Sequence, residues 1–286
     1  MKKLPILEHD YKAESKIEPS RVIRPRDVPE HCVISFFQEI NQKVIEEKQA
    51  KVVVANRCED GEHPIYEIEH QGKRLAFFHP GVGAPIAAGL VEEAIAFGIK
   101  NFIVCGGCGV LKRDLFVGKL ILVDSAIRDE GVSYHYLEPS REIRVDSNIV
   151  KTMEAVLSTR EIPFITGKTW TTDAPYRETP GMIQSRAEEG CLTVEMEAAS
   201  LLAVAQYRHD PFRIGAGQGF LVAELEVVDP AVEPAGGDEL GVGAALDDAA
   251  PVQHEDEVGA LEGEQALRDH ERGAATHELG QRGLDL

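Results

Sequence analysis

An α/β domain is the fold that residues 1–210 of this 286-residue chain predict, and two patterns predict it. Short apolar or β-branched runs alternate with longer stretches of helical period, as strands do when helices wrap a sheet. Several of those runs feed straight into glycine-rich loops, as buried strands do before a ligand-bearing turn. A third observation bounds the domain. Near Arg208 and Pro211 the composition changes, and the rest of the chain is acidic and rich in Gly and Ala.

The elements follow in order. Cys32-Val33-Ile34-Ser35-Phe36-Phe37 reads as a buried strand leading into a polar helix at Gln38–Lys48, with Ile40, Val44 and Ile45 on its apolar face. Residues 51–55 are β-branched and strand-like. Residues 65–69 alternate, and Gln71-Gly72-Lys73 turns them back into 74–78, which predicts a hairpin. A Gly/Pro loop at 79–85 precedes a helix at 86–97, where Ile86, Leu90, Ala94 and Phe97 recur at helical spacing and Gly98 is the stop. Phe102-Ile103-Val104-Cys105 and Leu120-Ile121-Leu122-Val123 are further strands. Ser147 is placed to cap a helix running to Thr159. A short strand at 193–196 leads into an Ala- and Leu-rich helix at 197–207.

Charge excludes several function classes. The chain holds 30 Lys+Arg against 49 Asp+Glu, a formal net charge of −19. That argues against a nucleic-acid binder with a phosphate-neutralising face and against attraction to anionic membranes. No apolar run is long enough to span a bilayer, and the first residues lack the apolar core of a secretory signal. Five scattered cysteines do not make a disulfide framework, so a reducing, cytoplasmic location is expected. The acidity is uneven. Residues 211–286 carry 17 Asp+Glu and four arginines, so most of the net negative charge sits there. Phe220-Leu221-Val222-Ala223 in this tail has the pattern of a strand; beyond Pro230 no helical period is sustained. The tail therefore reads as a solvated acidic extension, or as a segment that is not the natural continuation of the domain.

Four segments carry chemistry. His79-Pro80-Gly81-Val82-Gly83-Ala84-Pro85 joins a strand to a helix, and its glycines permit close backbone approach, although alone it reads as an ordinary turn. Cys105-Gly106-Gly107-Cys108-Gly109 ends a strand in a glycine turn; no second Cys or His pair completes a metal site. Thr169-Trp170-Thr171-Thr172-Asp173-Ala174-Pro175-Tyr176-Arg177-Glu178 combines the lone Trp with convergent polar groups. It suits either a small-molecule pocket or a polar loop anchored by the Trp. Val194-Glu195-Met196-Glu197-Ala198-Ala199 sets two carboxylates around a methionine between a strand and a helix. Such a carboxylate can accept two hydrogen bonds from a vicinal diol, or can complement a helix dipole.

In this order G-V-G-A-P (81–85), G-G-C-G (106–109), R-D-E-G-V-S-Y-H (128–135), T-T-D-A-P-Y (171–176) and V-E-M-E-A-A (194–199) resemble the purine/uridine phosphorylase superfamily, in its uridine phosphorylase-like branch, over about residues 30–208. The resemblance implies a three-layer α/β/α fold with a mixed, partly barrel-like sheet, assembled as a homo-oligomer from dimer to hexamer. It implies reversible phosphorolysis of a nucleoside to free base and ribose 1-phosphate, with phosphate as co-substrate and no metal or organic cofactor. Glu197 would bind the ribose hydroxyls, Met196 would pack on the sugar and Glu195 would support them. Gly106, Gly107, Cys108 and Gly109 would lie along the phosphate. Asp173, Tyr176, Arg177 and Glu178 would border the base, with Arg177 at its polar edge. Three departures stand out. No Gly-Asp-Pro-x-x-Arg segment grips phosphate near the start. Val104 stands where the family has an arginine, and Gly107 or Cys108 where it has Ser or Thr. Arg128, Arg177 or a neighbouring subunit would then supply the positive charge. The tail after Arg208 matches neither the strand nor the closing helix of the family, so the fold is expected to be incomplete there. A nucleosidase, with Glu39 activating water, and a non-catalytic nucleoside-binding protein are the alternatives.

Overall fold

The computed structural model describes residues 4–8, 13–59, 61–112, 115, 118–209 and 219–225, the last of these by backbone. All of them belong to one compact unit, Met1–Leu240. The strands are β1 (His31–Ser35), β2 (Lys51–Cys58), β3 (Gly61–His70), β4 (Lys73–Phe78), β5 (Asn101–Gly106), β6 (Gly109–Val110), β7 (Leu120–Asp129), β8 (Glu142–Arg144), β9 (Phe164–Thr172), β10 (Cys191–Glu195) and β11 (Gly219–Leu225). The helices are α1 (Pro19–Val22), α2 (Gln38–Lys48), α3 (Ala84–Phe97), α4 (Ser133–Tyr136), α5 (Ser147–Thr159), α6 (Pro180–Glu188) and α7 (Ala198–His209). Two 3-10 turns lie at Pro5–Leu7 and Pro175–Arg177.

The strands form one mixed sheet in the order β2-β3-β4-β1-β5-β11-β7-β9-β10-β6, with β8 paired to β7. The β3–β4 hairpin turns through Gln71 (φ 53°) and Gly72 (φ 75°), the paired positive dihedrals that a two-residue turn needs to match strand twist. β1 runs parallel to β4 and β5, whereas β7, β9 and β10 are parallel to one another and opposed to β11. Only Gly107 and Cys108 separate β5 from β6, yet β11, β7, β9 and β10 stand between them in the hydrogen-bonded order. The sheet therefore curls until its far edge returns to the end of β5. This is the barrel-like part expected, although the path stays open among the described residues.

The core lies where α3 and α7 pack on each other and on the strands, with Ile34, Phe78, Val91, Phe102, Leu201 and Leu202 all but sealed from solvent. Gly98, at φ 124°, ends α3 and donates to Ala94 O and Ile95 O. Among the described residues, no helix is long and apolar enough to cross a membrane.

Three expectations need correction. Ile40 is exposed; α2 turns Asn41 inward, where its Nδ2 donates to Ser35 O at 2.9 Å. The cap of α5 is Asp146, one residue before Ser147, because its carboxylate reaches the Asn148 N–H at 2.7 Å. The segment Thr169–Thr172 is the buried end of β9, not a loop. The strand pattern at 220–223 holds: β11 pairs parallel with β5 and antiparallel with β7, so the sheet runs past the composition break near residue 210. Residues 226–286, where a solvated extension was expected, lie outside the described residues.

Candidate active site

Strand ends from both arms of the curl meet. Phe36, just past β1, packs edge-on against His79, just past β4, with ring centroids 5.9 Å apart. A Cβ at Gly106, the end of β5, would come within 3.1 Å of the Phe36 ring, and one at Gly109 within 2.9 Å of Val194 on β10. A side chain at Gly109 would force Val194 to shift, and one at Gly106 would crowd the Phe36 ring. The Cys105 thiol beside them is pushed up by burial, which works against thiolate ligation or redox chemistry. Cys108 is buried.

The β10–α7 junction holds the centre. Glu195, the last residue of β10, is buried. Its Oε1 accepts from Thr171 Oγ1 at 2.5 Å, and its Oε2 accepts from the backbone N–H of Glu197 and of Ala198, each at 2.6 Å. It thus satisfies the open N–H groups at the start of α7, as an N-terminal carboxylate should. Thr171 Oγ1 also accepts from Ala199 N at 3.0 Å, tying β9 to the same helix. Glu197 faces the other way. Its Oε1 accepts from Gly83 N at 2.5 Å, which joins the loop after β4 to the end of β10.

Burial pushes both carboxyls up. For Glu195 the neighbouring Glu197 adds to the rise, while the bonds from Thr171, Ala198 and Glu197 oppose it. For Glu197 the N–H groups of Gly83 and Met196 oppose the rise and the Asp173 charge reinforces it. The charge that reaches Glu197 is thus another carboxylate, and Arg177 is not among its partners. Among the described residues the two buried acids are held by N–H and hydroxyl dipoles rather than by a cation, the arrangement that keeps ionisable groups poised for chemistry.

The remaining candidates divide into three groups. Asp173 sits on the rim, its Oδ2 accepting from Gly131 N at 2.7 Å, which links the ends of β9 and β7. Tyr176 is 99% exposed, Arg177 is exposed beside it, and Glu178 is half-buried with its carboxyl raised by burial. Arg128, expected as a source of charge for phosphate, is buried elsewhere. Its guanidinium donates to Ser133 Oγ at 2.8 Å and to Glu138 O and Ser140 Oγ at 2.7 Å each, and lies 4.5 Å from the Tyr134 ring centre. It organises the 133–140 turn. Trp170 is fully buried; its Nε1 donates to Asp129 Oδ2 at 2.9 Å beneath the Arg186 guanidinium. Met196 is half-buried between the two glutamates, and Glu39 is exposed on the first turn of α2.

Sequence reasoning missed Gly83, Thr171 and His79. The loop 79–85 passed as an ordinary turn, yet Gly81 (φ 76°) and Gly83 (φ 98°) both take dihedrals that favour glycine, and Gly83 delivers the N–H that Glu197 accepts. The Gly-x-Gly spacing was the available signal, and only the fold shows which partner it serves.

A mixed α/β sheet whose strand ends gather a pair of buried carboxylates, with no cation bonded to either among the described residues, defines the class to which this protein belongs: an α/β domain with an acid-bearing site. Comparison with known proteins identifies it further. Residues 31–214 match the family model of the phosphorylase superfamily, and the chain belongs to that family. It is 28% identical over 170 residues to a guanosine phosphorylase of Halorubrum lacusprofundi, covering 57% of this chain and 70% of that protein. It is 29% identical over 139 residues to a DeoD-type purine nucleoside phosphorylase of Bacillus cereus, covering 48% of this chain and 59% of that one. Among solved structures, uridine phosphorylase from Vibrio fischeri is similar with a TM-score of 0.62 at 21% identity, over 74% of this chain and 84% of that one. AMP nucleosidase from Bacteroides thetaiotaomicron is similar with a TM-score of 0.58 at 20% identity, over 70% and 81%. At those identities the two structures establish the shared fold.

Proposed function

We propose that the protein is a nucleoside phosphorylase. The C1′–N bond of a nucleoside breaks, a phosphate oxygen bonds to C1′, and the base departs with the bonding electrons and takes up a proton. The products are free base and ribose 1-phosphate. The observation that carries this reading is the Glu197 carboxylate, buried at the end of β10 and anchored by Gly83 N–H. One oxygen is fixed by that bond, and the remaining lone pairs accept from the two ribose hydroxyls. Glu195 holds the backbone from which Glu197 projects, and Met196 packs on the sugar. Gly106, Gly107, Cys108 and Gly109 run along the phosphate. Asp173, Tyr176, Arg177 and Glu178 border the base, with Arg177 at its polar edge. The leaving base generates an oxocarbenium-like sugar, which a nearby carboxylate stabilises. Holding the diol and the nucleophile in register supplies the rest of the rate. No metal or organic cofactor is needed. The working form is a cytoplasmic homo-oligomer serving nucleotide salvage.

Hydrolysis of the same bond is the second reading. The observation favouring it is Arg128, which is committed to the 133–140 turn and leaves the glycine loop without that cation. Incubating uridine, inosine, guanosine, adenosine and methylthioadenosine with the chain, with and without phosphate, decides between them. The expected outcome is base release that requires phosphate and yields ribose 1-phosphate. Release without phosphate overturns phosphorolysis in favour of hydrolysis, and binding without release overturns both.

A further inference from the structure

We propose that His79 is a positioning residue for Glu197, acting through the Gly81–Gly83 turn. The inference deepens the reading of Glu197 above and rests on it for any effect on rate. His79 follows β4, and its Nδ1 accepts from Gly81 N at 3.1 Å. Two residues on, Gly83 N–H donates to Glu197 Oε1. Both glycines stand at positive φ, and a Cβ on Gly81 would come within 2.8 Å of Ile86 Cγ2. The turn is therefore narrow, and the imidazole acceptor is what holds its first N–H. The ring is in turn fixed by Phe36, whose own ring lies on Gly106 at the end of β5. A lateral displacement of the imidazole is thereby transmitted to the N–H that Glu197 accepts.

The acceptor role requires the neutral ring, because a protonated Nδ1 has no lone pair to offer. Burial holds the His79 pKa down, and the nearby His63 pushes the same way, while a hydrogen bond with the Phe36 backbone opposes them. His63 on β3 and Phe36 past β1 are the groups facing the ring; Glu93 on α3 faces His63 rather than His79. As pH falls through the His79 midpoint, the Gly81 bond is lost and the turn is released.

An NMR pH titration of the intact wild-type chain, following the Gly81 and Gly83 amides and the Glu197 carboxyl, tests this without a variant. The two amides are expected to share one inflection at the His79 midpoint, on the acid side of a normal histidine, and the Glu197 carboxyl, which also titrates on its own account, to show a second inflection there. Amides that titrate independently of His79 overturn the proposal. His79→Leu removes the acceptor, whereas His79→Asn returns an oxygen near the position of Nδ1. The leucine variant is expected to move the Glu197 carboxyl midpoint upward and to lower kcat on the order of 10²-fold, with the asparagine variant largely restored. A folded His79→Leu with an unmoved Glu197 midpoint overturns the positioning role even if the wild type is an active phosphorylase. A moved midpoint in a chain that cleaves no nucleoside sustains the positioning role and overturns the functional reading instead.

Discussion

Two groups of buried carboxylates lie on opposite ends of α7, and they are held in different ways. At the N-terminal end, Glu195 and Glu197 accept from backbone N–H groups and a threonine hydroxyl; Glu197 raises the proton affinity of Glu195, and Asp173 raises that of Glu197. At the C-terminal end, Glu92 takes both Nε (2.6 Å) and Nη2 (2.8 Å) of Arg208, while Glu18 takes Nη1. Burial alone would lower the Arg208 pKa, but the two acids outweigh it and hold the guanidinium charged. Burial without a cation leaves an acid free to change protonation or to receive a ligand hydroxyl. Burial against an arginine fixes charge and geometry together. The first arrangement is chemistry in waiting; the second is a clamp between the N-terminal segment, α3 and α7.

Breaking the clamp has the largest expected effect. Arg208→Met strands two buried carboxylates face to face, and should lower stability by about 3–5 kcal/mol, read as a fall in the urea midpoint. Replacing Glu18 and Glu92 by Leu in the same chain should recover most of that loss, since a packed apolar cluster of similar volume tends to match a buried ionic one. The Glu195–Glu197 pair, if it serves the proposed reaction, should behave in the opposite sense. Glu197→Gln should cost about 2 kcal/mol of transition-state binding, roughly 30-fold in kcat/KM, without a matching loss of stability. Its pH signature sharpens the contrast. Both site carboxyls have folded-state pKa values above the usual carboxylate range, so the stability linked to them is full in acid and declines as pH rises through those raised values. Glu197→Gln should flatten that decline when urea midpoints at about pH 5 and about pH 8 are compared. The smallest effect belongs to the rim. Tyr176→Ala removes an almost fully exposed ring and should change stability by no more than about 0.5 kcal/mol. A rise in the KM for nucleoside at unchanged stability would place that ring at the base.

The same division governs what the sequence revealed. The site acids were legible because Glu195 and Glu197 sit in one short string between a strand and a helix, where local rules apply. The hairpin, α2 and α5 were legible for the same reason, apart from a cap misplaced by one residue. The clamp was invisible: Arg208 lies 116 residues from Glu92 and 190 from Glu18, and only the packed fold brings them together. Gly83 fell between these cases. Its string was seen, but its partner 114 residues away was not. The Thr169–Thr172 stretch was misjudged because four polar or amphipathic residues look solvated. Each is buried in β9, where Thr and Trp have good strand propensity and where Thr171 and Trp170 find the bonds they need.

The place of β11 sets the order in which this chain can be completed during synthesis. It is the last described strand to leave the ribosome, yet it stands between β5 and β7, the two strands on which the arms of the curl depend. A nascent chain that has not reached Gly219 holds two half-sheets with open edges facing one another and no strand to join them. Such edges invite pairing with another chain. The joining step waits on contacts more than a hundred residues apart in sequence, the kind that form late. Gly219–Leu225 therefore acts as the keystone of the sheet, and until it is in place the facing edges of β5 and β7 stay open to pairing with another chain.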